Sequence, residues 1–249
     1  MLNFEVHGSP EHPTLMLMHG FMSSNAQWDL NIERLSSELQ VVLVELLGHG
    51  DSPTPEDPEQ YSREAVLGYL EDIRKSVGVD TWWVGGHSLG GATSIRYALA
   101  HPDRVNGIVF TNTRAAFGTK RESDETQQHV FAVGTNVRAL RFHPIGAKHF
   151  PPQVKAKLVA IADSMPLHVL SNTVGHRTRW SSVAQLHALK MPVRLINGRY
   201  ERKFQPLIDV ALEKLPTLDV VHLDGGHAVN IEAPHEYNQA VLDFITSSA

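Results

Sequence analysis

Short apolar runs and longer amphipathic segments alternate along the first half of the chain. Residues 14–18, 41–44 and 105–110 are mostly apolar, which is typical of strands buried on both faces of a parallel sheet. Segments with a helical period lie between such runs, for example residues 62–77, where Ser62 is expected to cap the first turn. Strand and helix alternate four times with short connections, which predicts an α/β fold with a doubly wound, mostly parallel sheet.

The alternation stops between residues 114 and 190. This stretch carries polar and basic side chains, several aromatic residues and prolines, and no run typical of a buried strand. Helix-like segments occur at residues 153–162 and 180–189, and the buried-strand pattern returns at residues 191–198. The interruption therefore indicates a helical insertion into the sheet domain.

These patterns predict the domain organisation. We expect one core domain formed by residues 1–113 and 191–249, with residues 114–190 as a helical cap inserted after the sixth strand. An insertion that follows a sheet strand tends to lie over the edge where that strand ends, so the cap is expected to act as a lid.

Composition and charge narrow the class of protein. A chain of 249 residues with 42% hydrophobic and 20% charged residues is ordinary for a soluble globular protein. A formal net charge of −5 argues against nucleic acid or an anionic membrane as a partner, and the fifteen histidines lack metal-ligand spacing. The chain has no cysteine, no signal-peptide pattern at its start and no apolar run of membrane-spanning length. We therefore expect a cytoplasmic protein without a metal ion.

The segment Gly86-His87-Ser88-Leu89-Gly90 predicts a nucleophilic serine. It has the pattern G-x-S-x-G, with an apolar strand at residues 82–85 before it and a helix at residues 92–100 after it. A serine on a tight strand-to-helix turn sits in a strained backbone conformation, so the neighbouring positions must be glycine. The hydroxyl of Ser88 then projects from the edge of the sheet, at the positive end of the helix.

Two further residues are candidates for the partners of this serine. A serine hydroxyl needs a base, normally a histidine that is held by a carboxylate. His227 lies in a glycine-rich loop after the strand predicted at residues 218–223, so it can reach the same edge. Glu201 lies three residues beyond Gly198, at the end of the preceding strand, and is the expected acid. Asp224 is the second candidate for the acid, because it is close to His227 in sequence.

Two backbone amides are candidates for an oxyanion hole. One belongs to Leu89, the residue after the nucleophile, and the other to Phe21, in the loop after the strand at residues 14–18. His19, which opens that loop, is expected to be structural rather than catalytic.

Five ordered motifs together resemble the α/β-hydrolase superfamily over essentially the whole chain. They are His19-Gly20-Phe21, Gly48-His49-Gly50-Asp51-Ser52, Gly86 to Gly91, Gly198 to Glu201, and Gly225-Gly226-His227. The resemblance implies an α/β-hydrolase fold with a helical cap and serine hydrolase chemistry that needs no cofactor. A serine at the nucleophile position argues against the haloalkane dehalogenases and epoxide hydrolases of this fold, which use aspartate there.

The function we expect is that of a carboxylesterase acting on a small-molecule ester or acyl substrate, as a monomer or homodimer. Ser88 would attack an ester or thioester carbonyl, with His227 as general base and Glu201 orienting it. In the cap, Arg114 and Arg177 are candidates to bind a substrate carboxylate, and Trp180 to line an acyl pocket. Weaker candidates for the same two roles are Phe117, Phe131, Phe142, Phe150, Arg138, Arg141 and Arg179.

One subfamily offers an alternative. The synthases that make 2-succinyl-6-hydroxy-2,4-cyclohexadiene-1-carboxylate in menaquinone biosynthesis have segments similar to residues 19–28, 175–180 and 198–204. Those enzymes eliminate pyruvate from an anionic substrate held by arginines. This chain has Ala92 where that subfamily usually has arginine, and Glu201 where it has aspartate. Pyruvate elimination, hydrolysis of a carbon–carbon bond and a ligand-receptor role on the same fold all remain open.

Overall fold

The computed structural model of the chain describes residues 1–117, 128, 136–140, 142–175 and 180–247, and within them seven strands form one sheet. In chain order they are β1 (Phe4–His7), β2 (Thr14–Met18), β3 (Gln40–Val44), β4 (Trp82–His87), β5 (Val105–Thr111), β6 (Val193–Gly198) and β7 (Asp219–Leu223). Across the sheet their order is β1-β3-β2-β4-β5-β6-β7, and every neighbouring pair is parallel except β1 with β3. The predicted α/β sheet is confirmed.

Helices and short 3-10 turns connect the strands. The helices are α1 (Ile32–Ser36), α2 (Arg63–Val77), α3 (Leu89–Ala100), α4 (Arg114–Phe117), α5 (Pro152–Ser164), α6 (Leu167–Gly175), α7 (Gln205–Lys214), α8 (Val229–Glu232) and α9 (Pro234–Ser247). The 3-10 turns are Asn25–Trp28, Pro58–Tyr61, Pro102–Arg104, Val137–Ala139, Pro144–Gly146 and Val183–Ala188. In the described ranges no helix is both long enough and apolar enough to cross a membrane.

Side chains of the central strands enter two separate apolar layers. In β2, Met16 and Met18 belong to one layer, whereas Leu15 and Leu17 belong to the other, as the two-residue period of a strand requires. Side chains of α2, α3 and α7 pack into the first layer, and those of α1 and α9 pack into the second. Burial of both faces explains why the strand runs show no polar alternation.

The boundaries of α2 follow from local chemistry. The Ser62 hydroxyl accepts a hydrogen bond from the amide of Ala65, and Gly78 ends the helix in a left-handed conformation with φ of +81°. The helix expected at residues 62–77 is therefore confirmed, including its cap.

The described residues between β5 and β6 contain helices and 3-10 turns but no strand. The prediction that the insertion follows a sixth strand is wrong, because it follows β5. One antiparallel strand, β1, and four parallel strands, β2 to β5, come before it in the chain. Met165 and Val169 of this stretch belong to the same apolar layer as Met18. Val169 packs closely on the backbone at Gly48, where an added Cβ would lie 2.3 Å from its Cγ1. The division into core and cap domains stays a prediction.

Candidate active site

Ser88 lies between β4 and α3 in a strained conformation. Its φ of 53° and ψ of −111° are unusual for a residue other than glycine, and among the described non-glycine residues only Met22 shares a positive φ. A Cβ at Gly86 would fall 2.6 Å from the Met18 carbonyl oxygen, and one at Gly90 would fall 2.2 Å from the same atom. The two glycines thus permit the close approach of strand and helix that the turn requires.

His227 and Glu201 are hydrogen-bonded to each other. The Nδ1 atom of His227 lies 2.8 Å from the Oε2 atom of Glu201, so the ring donates its Nδ1 proton to the carboxylate. The Glu201 side chain is 15% exposed and that of His227 is 46% exposed. With Nδ1 protonated, Nε2 of the neutral ring carries a lone pair and is free to act as a base.

The loop that carries Glu201 is fixed at several points. The Asn112 side chain accepts a hydrogen bond from the amide of Gly198 at 2.9 Å and donates to its carbonyl at 3.2 Å. The amide of Tyr200 donates to the carbonyl of Gly225 at 3.0 Å, and that of Glu201 donates to the carbonyl of Gly198 at 3.1 Å. These bonds connect the loop after β6 to the glycine-rich loop that holds His227.

Asp224, the second candidate for the acid, is directed elsewhere. Its carboxylate accepts a hydrogen bond from the Tyr200 hydroxyl at 3.1 Å and forms an ion pair with Arg199, also at 3.1 Å. The side chain is 68% exposed. Glu201 is therefore the carboxylate that the fold brings to His227.

His87, to which the sequence analysis assigned no role, holds the His227 loop. Its Nε2–H group donates to the carbonyl oxygen of His227 at 2.9 Å, and the two rings meet edge to face with centroids 4.6 Å apart. Burial lowers the pKa of His87 well below its ordinary value, with the neighbouring His227 adding to this effect, so the ring is neutral. The side chain just before Ser88 thus donates a hydrogen bond to the loop that carries His227.

The amides of Phe21 and Leu89 both belong to residues that line the cavity at Ser88. Both backbone groups of Gly20 are bound, because its amide donates to Gln27 Oε1 at 3.0 Å and its carbonyl, in the peptide that carries the Phe21 amide, accepts from His19 Nδ1 at 2.7 Å. Among the described residues the Phe21 amide has no hydrogen-bond acceptor. Leu89 is the first residue of α3, so its amide lacks an intrahelical acceptor. Both donors are available to an oxyanion.

Two buried histidines join the Phe21 loop to the loop after β3. His19 Nε2 accepts from the amide of Leu46 at 3.0 Å, and His49 Nε2 accepts from the amide of Met22 at 3.2 Å. Burial lowers the pKa of His19 to about 4 and that of His49 to about 3. Both rings are neutral acceptors at these positions, and His19 has the structural environment that we expected.

The motif at residues 48–52 surrounds a buried carboxylate. Glu45 is 5% exposed and accepts hydrogen bonds from the amide of Asp51 at 2.7 Å, the amide of Asn25 at 3.2 Å and the side-chain amide of Asn3 at 2.9 Å. A Cβ at Gly50 would fall 2.0 Å from Glu45 Oε1. Glycine is needed there because the carboxylate fills the space that a side chain would take.

A cavity of about 430 Å³ opens above Ser88. Its apolar lining includes Phe21, Leu89, Phe142, Phe150, Leu158 and Ile231. Two cationic residues, Arg114 and Lys203, also line it, and they follow the neighbouring strands β5 and β6. Two carboxylates, Glu201 and Glu232, line it as well, so the cavity combines apolar walls with charged groups of both signs.

The other cap candidates are placed differently. Trp180 is buried beside a separate small cavity, together with Leu47 and Tyr61. The structure does not bring it to the Ser88 cavity, because its side chain packs into the apolar core. Phe117 packs on Phe204 in the core. The side chain of Arg138 is paired with Asp163. Arg177, Phe131, Arg141 and Arg179 lie outside the described residues.

In the part of the chain that the structure describes, no three His, Asp or Glu side chains group together as metal ligands do. The expectation that the chain needs no metal or cofactor stays a prediction.

The sequence of the chain matches that of a known protein family. A family model described as the alpha/beta hydrolase fold matches residues 13–159, more than half of the chain. The chain belongs to the α/β-hydrolase family.

Individual relatives are distant but extend over nearly the whole chain. A provisionally assigned 2-succinyl-6-hydroxy-2,4-cyclohexadiene-1-carboxylate synthase of Bacillus subtilis (strain 168) is 22% identical over 94% of this chain and 90% of its own length. The carboxylesterase YbfK of the same organism is 23% identical over 96% of this chain and 82% of its own length. The structure of the enol-lactonase from Burkholderia xenovorans LB400 superimposes with a TM-score of 0.86 at 20% identity, covering 98% of this chain and 96% of that one.

Proposed function

We propose that the chain is a carboxylesterase that cleaves a carboxylic ester or thioester through an acyl-enzyme on Ser88. The observation that carries the proposal is the 2.8 Å hydrogen bond from His227 Nδ1 to Glu201 Oε2, in the cavity that Ser88 also lines. A carboxylate at Nδ1 keeps the proton on that atom and stabilises the imidazolium that forms when Nε2 accepts a second proton.

The reaction proceeds in two stages. First, Nε2 of His227 takes the Ser88 proton while the serine Oγ bonds to the acyl carbon, and the imidazolium then protonates the departing alcohol or thiol. Second, His227 takes a proton from water, the oxygen of that water bonds to the acyl carbon, and the bond to Oγ breaks. Ser88 regains its proton and the carboxylic acid leaves.

The tetrahedral intermediate of each stage carries a negative oxygen. The amides of Phe21 and Leu89 are the proposed donors to this oxygen, since both residues line the cavity and neither amide has a hydrogen-bond acceptor among the described residues. Removing one such donor typically raises the barrier by about 3 kcal/mol. The bonds that hold the Gly20 peptide therefore matter for rate, because they set the direction of the Phe21 amide.

The cavity favours a small apolar acyl or alcohol group. A volume of about 430 Å³ with walls of Phe21, Phe142 and Leu158 suits a small to medium-sized molecule. A carboxylate elsewhere on the substrate would meet Arg114 in the same cavity. The similarity to a carboxylesterase supports ester chemistry as one of the reactions of the fold.

The test is hydrolysis of p-nitrophenyl esters from acetate to long acyl chains. We expect turnover by the wild type, with kcat/KM highest for short chains, and a loss of at least about 10³-fold in Ser88→Ala. Ser94→Ala is the matched control, because Ser94 lies in α3, the helix that follows Ser88, and is buried, with its hydroxyl donating to the Gly90 carbonyl instead of lining the cavity. Absence of turnover on every ester in the wild type would overturn the esterase proposal.

Pyruvate elimination is the second candidate, supported by the relative that is provisionally assigned as a 2-succinyl-6-hydroxy-2,4-cyclohexadiene-1-carboxylate synthase. Ala92, which stands where that subfamily usually has arginine, is fully buried in the core and is not among the residues that line the cavity. Pyruvate release from the precursor of that product, followed with lactate dehydrogenase and NADH, distinguishes the two. Rapid release, with no ester hydrolysis, would favour the synthase.

A further inference from the structure

A buried network of side-chain amides lies beside the proposed active site. Its members are Gln27, Asn31, Asn230 and Asn238, and each is at most 3% exposed. Uncharged amides removed from water are costly unless their hydrogen bonds are made. Here they are made, and mostly between residues about 200 positions apart in the chain. Such a network specifies one arrangement of the segments that it joins.

At one end, Gln27 binds the loop that carries the Phe21 amide. Its Oε1 atom accepts from the amide of Gly20 at 3.0 Å and from the hydroxyl of Ser23 at 2.9 Å. These two residues flank Phe21 along the chain, and Gln27 also lines the cavity. The Gln27 carboxamide therefore holds residues on both sides of Phe21, whose amide is the proposed oxyanion donor.

At the other end of the network, Asn230 lies three residues after His227. Its Oδ1 atom accepts from Gln27 Nε2 at 3.3 Å, and its Nδ2 atom donates to the Gln27 carbonyl at 2.9 Å and to Asn31 Oδ1 at 3.1 Å. The Asn230 carbonyl in turn accepts from Asn31 Nδ2 at 3.0 Å. The segment that carries His227 is thus tied directly to the residue that holds the Phe21 loop.

We propose that Gln27 and Asn230 are positioning residues that set the oxyanion loop and the His227 loop in fixed relation to each other. The inference rests on the proposed function of Ser88 and His227. A reaction that needs a donor and a base on opposite sides of one carbonyl is sensitive to their relative position, and an error of about 1 Å can cost about 100-fold in rate. Neither amide touches the reacting atoms in this role.

Asn238 provides a matched control. It is a buried asparagine at the far end of the network, on α9, where it accepts from Asn31 Nδ2 at 2.9 Å and donates to the Leu30 carbonyl at 3.5 Å. Among the described residues, its side-chain hydrogen bonds reach neither the Phe21 loop nor the His227 loop. An Asn→Asp substitution has the same size and buries the same charge at Asn230 and at Asn238. The two variants differ because Asn230 is bonded to Gln27, whereas Asn238 is bonded to Asn31 and Leu30.

The experiment compares Gln27→Glu, Asn230→Asp and Asn238→Asp with the wild type. Gln27→Glu keeps the acceptor for Gly20 but removes the donor to Asn230, and Asn230→Asp removes both donors of that side chain. For these two we expect kcat for p-nitrophenyl acetate to fall by roughly 10- to 100-fold with KM nearly unchanged. Affinity for phenylboronic acid, which forms a tetrahedral adduct on serine, should fall in parallel. Asn238→Asp should lower the melting temperature with kcat within about twofold.

The outcomes separate this inference from the proposed function. Labelling of wild-type Ser88 by a fluorophosphonate is measured first, and an unlabelled wild type that hydrolyses no ester would overturn both proposals. If the wild type reacts, an unchanged kcat in folded Gln27→Glu and Asn230→Asp overturns the positioning role alone. The positioning role is also overturned if the loss of kcat in all three variants follows their loss in melting temperature. Should Asn230→Asp fail to fold, the contrast between Gln27→Glu and Asn238→Asp decides the question.

Discussion

Ser88, His227 and Glu201 each depend on one neighbouring feature for the chemistry proposed for them. The positive φ of Ser88 exposes its hydroxyl, and that conformation is tolerated because Gly86 and Gly90 let strand and helix touch. Glu201 is the less exposed partner of the hydrogen bond to His227, and it holds the exposed His227 ring in one tautomer.

The role of Glu201 can be tested by removing its charge. In Glu201→Gln the amide has nearly the same shape but no longer stabilises the imidazolium or selects the Nδ1–H tautomer, so we expect kcat/KM for p-nitrophenyl acetate to fall by roughly 10³- to 10⁴-fold. Asp224→Asn is the control, because that carboxylate is bound to Tyr200 and Arg199. A larger loss in Asp224→Asn than in Glu201→Gln would show that the acid has been assigned incorrectly.

Among the elements, the strand-to-helix turn between β4 and α3 is closely packed and holds a strained residue, Ser88. The Gly90 amide donates to the His19 carbonyl at 3.1 Å, so this turn also anchors the start of the Phe21 loop. Nearby, Glu45 organises the loop after β3 through backbone amides, a role that its sequence position does not reveal. The loops that end parallel strands are thus bound to each other as well as to the sheet.

Two glycines test how tightly this turn is packed. In Gly90→Ala the new methyl group would lie 2.2 Å from the Met18 carbonyl oxygen and 2.6 Å from that of His19, so backbone must move. We expect urea unfolding to show a loss of about 3 kcal/mol in the free energy of unfolding. Gly68→Ala in α2 meets nothing within 4 Å and should raise it by about 0.5–1 kcal/mol. Equal effects would contradict the packing described for the turn.

For the whole molecule, neutral buried histidines connect stability to pH. Folding lowers the pKa of His19 to about 4 and that of His49 to about 3, and it lowers the pKa of His87 as well, chiefly through burial. A histidine with a lowered pKa binds its proton more tightly in the unfolded chain, so acid favours unfolding. This contribution is complete above the unfolded pKa of 6.5 and declines as pH falls below it.

We therefore expect the free energy of unfolding to fall between pH 6.5 and pH 4.5, by more than about 1.4 kcal/mol per pH unit over the lower part of this range, because more than one proton is taken up. Urea titrations at intervals of half a pH unit measure the slope. His49→Gln should be less stable at pH 7.5 and show a shallower slope, because it has one buried histidine fewer. A flat wild-type profile over this interval would contradict the neutral, buried state of these rings.

Local patterns predicted much of the site, and long-range packing decided the rest. The turn glycines around Ser88 and the loop positions of His227 and Glu201 could be found because backbone sterics and strand ends leave a mark within a few residues. Trp180 could not be placed, since an aromatic residue in a helical insertion looks alike whether it faces a cavity or the core. The number of strands before the insertion was also predicted incorrectly, because that number depends on which strands form the edge of the sheet.

The sequence by itself determined the α/β class, the strand-to-helix elbow and the order of the loops, because strand burial, helix period and glycine sterics act over short distances. Only the tertiary structure decided that Glu201 and not Asp224 meets His227, that His87 holds the His227 carbonyl, and that Gln27 meets Asn230 across 203 positions. These contacts join segments that are distant in the chain. Their hydrogen bonds form only once the sheet has brought the ends of its strands to one edge.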